Sequence, residues 1–138
     1  MDYEALFSIA GVLAISGWLA LLISPLIPKW SAQYAGLLIP ILLSALYLVL
    51  ALVPNANGGG FGSLKDVEQL FSQSAPLLAG WVHFLAFDLL IGAWICKTGR
   101  AEGIRFWFVA PTLLVTFLYG PAGFLLFSGV RFARARFQ

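Results

Sequence analysis

The sequence predicts an all-α membrane protein: a four-transmembrane-helix bundle with a short interfacial helix in its second loop. Three observations carry this. Of 138 residues, 61% are hydrophobic and only 10% charged, against about 25% charged in soluble domains, so the polar residues cannot cover a water-facing surface. Mean hydropathy is +0.93. Four apolar segments approach the roughly 20 helical residues that cross the hydrocarbon layer, and nothing between them is large enough for a second domain. Residues 1–138 therefore read as one integral membrane domain.

The first span is expected over about residues 5–27, closed by Pro25 and Pro28. Asp2 and Glu4 replace the basic region of a secretory signal, so this segment reads as a retained helix. The second span, about residues 34–53, follows a very short turn, which makes the two antiparallel neighbours. Residues 54–75 form the one sizeable polar loop. Its glycine run, Gly58 to Gly62, cannot hold a helix, but Ser63 to Asp66 has the spacing of a capped start. Leu64, Val67, Leu70 and Phe71 then share one face. The third span is expected over about residues 76–96 and the fourth over 105–127, followed by Arg131, Arg134 and Arg136 in a tail suited to phospholipid headgroups. Four spans place both termini on one side, with four Lys and Arg residues on each side. The basic turn between the last two spans then favours termini facing away from the cytoplasm.

Helical rise converts position into depth, and each span carries a polar side chain near its middle. These are Ser16, Ser44, the pair His83 and Asp88, and Thr116. Pro40, Ser44 and Tyr47 make one polar stripe and Thr112, Thr116 and Tyr119 another. An aspartate at bilayer depth costs about 2.5–3.5 kcal/mol on insertion scales and usually faces the bundle interior with a function. Gly80, Phe84, Asp88 and Gly92 recur every four residues, and such small residues admit a neighbouring helix. His83 lies about 140° around the axis from Asp88. Asp88 and His83 are the candidate acid and base. The candidate ligand-binding set is Trp81, Phe84, Gly92, Trp18, Ser44, Tyr47, Thr116 and Tyr119, with Trp18 and Trp81 suited to a flat, conjugated molecule. Packing roles stand beside these: Asp88 bonding Ser44, Tyr47 or Thr116, and His83 as a satisfied packing residue.

No phosphate-binding loop, Ser-His-Asp set or dinucleotide signature occurs, and one histidine with the single Cys96 offers no metal cluster. No cofactor and no metal are expected. No basic stripe suggests nucleic acid; the expected partners are membrane lipids, a flat, conjugated ligand and a second copy of the chain.

The segment Trp81-Val82-His83-Phe84-Leu85-Ala86-Phe87-Asp88-Leu89-Leu90-Ile91-Gly92-Ala93-Trp94 resembles the central motif of the abscisic-acid-deficient (neoxanthin-synthase-like) membrane protein family. The glycine run ending Phe61-Gly62-Ser63-Leu64 resembles that family's preceding loop. Plant members are implicated in forming an allenic carotenoid, neoxanthin, from violaxanthin. The resemblance carries over Trp81, His83, Asp88 and Gly92 as functional positions. It departs at Phe84, where tyrosine is common, and at Ala93, where a basic residue is expected. A plastid transit sequence is not seen, which suggests a bacterial member in the inner (cytoplasmic) membrane. The implied activity is acid-base isomerisation or epoxide opening of a carotenoid within the bilayer. The alternative is a non-catalytic module binding a pigment, lipid or partner protein.

Overall fold

The computed structural model describes all 138 residues, and they form helices joined by short connections. Helix α1 (Tyr3–Leu22) starts where the Asp2 carboxylate accepts the Ala5 amide at 3.0 Å, a side-chain N-cap. Helix α2 (Pro28–Ala51) opens on Pro28, whose missing N–H costs nothing in a first turn. Over Tyr34–Leu38 it widens to one π turn. The cause lies next to it: Pro40 cannot donate to the carbonyl four residues back, and the Ile39 amide bonds Tyr34 instead. Helix α3 (Leu64–Phe71) is the expected short helix, with the Ser63 hydroxyl accepting the Asp66 amide at 3.1 Å. Helix α4 (Ser74–Ala101) is the longest and lies at the centre. Helices α5 (Phe106–Tyr119) and α6 (Pro121–Arg136) complete the chain.

Three helices, α1, α2 and α4, are long and apolar enough to cross a membrane, and the chain is an all-α membrane protein. Helix α1 runs parallel to α4: Phe7 meets Trp81, Gly17 meets Leu89, Trp18 meets Gly92, and Arg100 reaches the Ser24 carbonyl. Helix α2 runs the other way, with Gly36 against Ala93 and Tyr47 beside His83. Small residues set these approaches. A Cβ on Gly92 would lie 2.8 Å from the Trp18 indole, and one on Gly17 would lie 2.6 Å from Leu89.

The fourth expected span, 105–127, is not one helix. Helix α5 stops at Tyr119, Gly120 adopts φ +33° and ψ −89°, and α6 starts at Pro121 in a new direction. Helix α5 climbs along α4 from Val109 beside Gly99 to Gly120 beside Asp88. Helix α6 then descends the same stretch. Phe124 and Phe127 pack on Trp94, Arg131 forms an ion pair with Glu102, and Arg134 donates to the Gly103 carbonyl at 2.8 Å. The two are a helical hairpin that enters from the α4 C-terminal end, turns at the depth of Asp88 and returns. Gly123 lets the arms close, because its Cα abuts the Thr116 backbone and hydroxyl. The physical reason is local: only glycine takes the positive φ cheaply, and proline cannot extend the preceding helix.

The hairpin also corrects the expected placement of the termini. The start of α1 and the α2–α3–α4 connection occupy one end of the bundle. The α1–α2 turn, the α4–α5 turn and the end of α6 occupy the other.

Candidate functional site

Because the hairpin reaches only to Asp88, the half of α4 beyond it keeps a strip that α5 and α6 do not cover. At about 100° per residue, Leu77, Trp81, Phe84 and Asp88 fall within a sector of about 60° on that strip. Helix α1 walls one side through Phe7, whose ring lies 5.8 Å from that of Trp81. Helix α3 stands on the other, its Phe71 seated on Gly80. The Trp81 and Phe84 rings are 5.4 Å apart. Gly11 follows Phe7 by four residues on the same face of α1, and a Cβ there meets nothing within 4 Å. The outer end opens into a cavity of about 350 Å³ between Tyr3, Phe7, Leu77 and Trp81. The outer part of this face, between α1 and α3, is an aromatic groove. Phe84 and Asp88 continue the same face inward, and the inner end, at Asp88 against the hairpin turn, lies about 21 Å from Ser74 at 1.5 Å per residue.

Asp88 occupies that inner end. It is 8% exposed, and its Oδ2 has no hydrogen-bond partner. A Cβ on Gly120 would lie 2.5 Å from its Oδ1, so the turn and the acid are in direct contact. None of the expected structural partners reaches it. Thr116 is buried beside the turn, but its hydroxyl donates to the Thr112 carbonyl at 2.6 Å. Ser44 faces outward, and Tyr47 lies with His83 on the far side of α4. A buried polar atom without a partner is costly and uncommon, which marks Asp88 as the chemically distinctive residue of the fold.

His83 is not part of that groove. It projects between α2 and α4, stacked on Phe87 at 4.6 Å and tilted against Tyr47 at 5.7 Å. Both side chains line a cavity of about 480 Å³ roofed by α3 and the preceding loop, with Asn55, Phe61 and Phe71. Thus the structure brings Trp81, Phe84 and Asp88 to one surface, with Tyr119 exposed at the hairpin tip. It gathers Tyr47 and His83 at a second surface. Trp18 is buried, fills the space over Gly92 and meets Phe117 edge-on at 5.5 Å, so both residues pack the interior. Ser16 joins the Tyr34 hydroxyl at 2.9 Å and thereby holds α1 to α2. The sequence reading missed Gly120, Phe7 and Gly11. A glycine-proline pair is a turn signal, and Gly120-Pro121 was the mark that could have revealed the break.

These features define a polytopic helical membrane protein whose central helix carries an aromatic face that ends on a buried acid. The chain belongs to the ABA4-like family: the family model described as ABA DEFICIENT 4-like matches residues 5–127. Neither the comparison with curated proteins nor that with solved structures gave a match.

Proposed function

We propose that this protein works in carotenoid or isoprenoid metabolism, in a bacterial inner membrane, by holding a conjugated isoprenoid in the aromatic groove with one end group against Asp88. Family membership supports a carotenoid-related role. The single observation that carries the site is the unpartnered, buried Asp88 carboxyl at the inner end of the groove. A neutral carboxylic acid there can protonate an epoxide oxygen. The C–O bond then breaks, leaving a cation on the ring carbon that the faces of Trp81 and Phe84 stabilise. Loss of a proton from the adjacent chain carbon to the Asp88 carboxylate completes an isomerisation in which one proton enters and one leaves. Exclusion of water by the hairpin turn protects the cation from capture. His83 lies on the other side of α4, so Asp88 serves as both acid and base in this scheme.

The separation of His83 from Asp88 also favours a second reading, in which the groove binds a pigment without turnover. One experiment separates the two. Cells that supply epoxy-carotenoids express the wild type or Asp88→Asn, and the pigments are extracted and compared. New products that vanish in Asp88→Asn support turnover. Intact pigment retained by both purified proteins supports binding alone, and unchanged products from both discard the acid role.

A further inference from the structure

The hairpin redistributes the charges of the chain between the two membrane faces. Lys29 begins α2, Lys97 and Arg100 close α4, Arg105 precedes α5, and Arg131, Arg134 and Arg136 end α6. All seven lie at the end of the bundle where Arg100 bonds Ser24 and Arg134 bonds Gly103. The other end carries only Lys65, together with Asp2, Glu4, Asp66 and Glu68. Of eight Lys and Arg residues in the chain, seven are on one face. A continuous fourth span would have carried the three tail arginines across and balanced the count.

Lys and Arg near helix ends are retained on the cytoplasmic side of a membrane, where anionic headgroups also attract them. From this asymmetry we infer that the cationic face is cytoplasmic and seats on the anionic lipid headgroups of that leaflet. The α1 start and the α3 loop then face away from the cytoplasm. The groove opens at the α1 start and ends at the hairpin turn, so it lies in the leaflet opposite the cytoplasm. An amphiphilic isoprenoid therefore reaches Asp88 from that outer leaflet, with its polar far end at the outer surface. The sidedness stands on charge and the hairpin; only the access route rests on the groove reading proposed above.

Single cysteines test both parts. In a Cys96→Ala background, Ala56→Cys reports the α2–α3 loop, Ser74→Cys the mouth of the groove and Ala135→Cys the end of α6. Intact bacterial cells are treated with a membrane-impermeant maleimide. The expected result is labelling at positions 56 and 74, with position 135 labelled only after the cells are opened. Labelling of 135 alone, or of 56 and 135 together in intact cells, overturns the orientation. The purified Ser74→Cys protein, loaded with a dihydroxy carotenoid, is expected to label at least several-fold more slowly than the unloaded protein. Outside labelling without such protection overturns the access route and leaves the orientation standing. If Ser74→Cys fails to accumulate, Leu77→Cys, one turn further in, replaces it.

Discussion

Replacing Gly120 by alanine opposes two features of the hairpin turn at once. The native φ of +33° is open to glycine, and forcing an L residue into left-handed backbone costs about 1–2 kcal/mol. The new methyl would also lie 2.5 Å from Asp88 Oδ1 and 3.0 Å from Cγ, and overpacking of this kind costs about 1–3 kcal/mol. Together these give about 2–5 kcal/mol of destabilisation for Gly120→Ala. A continuous helix through residues 106–136 predicts the opposite sign, since alanine gains about 1 kcal/mol over glycine in a helix interior. The assay is reversible unfolding in mixed detergent micelles, followed by tryptophan fluorescence. Adding Asp88→Ala should restore the collision part, about 1–3 kcal/mol, while the backbone part persists. A Gly120→Ala protein as stable as the wild type, or more so, would refute the turn and the groove it creates.

Other perturbations probe the groove and the outer end of the hairpin. Gly11→Phe fills space that no neighbour occupies, so retained carotenoid should fall at least tenfold while the unfolding midpoint stays near wild type; undiminished pigment would move the ligand elsewhere. Glu102 is held below its ordinary value of 4.5 by its hydrogen bond from Arg131. A depressed carboxylate contributes above its unfolded pKa and loses that contribution as pH falls through its folded one. A spin label at Ala135 should therefore gain mobility only below the ordinary carboxylate range, and Glu102→Gln should abolish that pH dependence.

The apolar composition and the segment lengths revealed three of the spans, because each is a long apolar run, broken by charge only at Asp88. They placed α3 as well, because Ser63 and the spacing after it encode a cap and a face. The hairpin stayed hidden for a physical reason. Phe106–Tyr119 and Pro121–Phe127 are equally apolar, and periodicity cannot tell a helix that continues from one that reverses on a single backbone torsion. Asp88 was legible as an inward group since burial of an acid in a membrane helix demands an interior. His83 and Asp88 do not meet, because five residues of helix turn the two side chains to different neighbours, as their spacing of about 140° implies. Ser44 and Tyr47 do not reach Asp88: α2 turns Ser44 outward and holds Tyr47 beside His83.

The distance between the two helix ends at the cationic face tests the hairpin most directly. Spin labels at Ala101 and Ala135 flank the Glu102–Arg131 ion pair, and pulsed dipolar spectroscopy on the protein in lipid nanodiscs reads their separation. A re-entrant hairpin places the labels on one membrane face, below roughly 25 Å apart, whereas a helix running straight from Arg105 carries Ala135 about 45 Å away at 1.5 Å per residue. A distribution centred at the short distance agrees with the groove over Asp88; one centred near the long distance contradicts it.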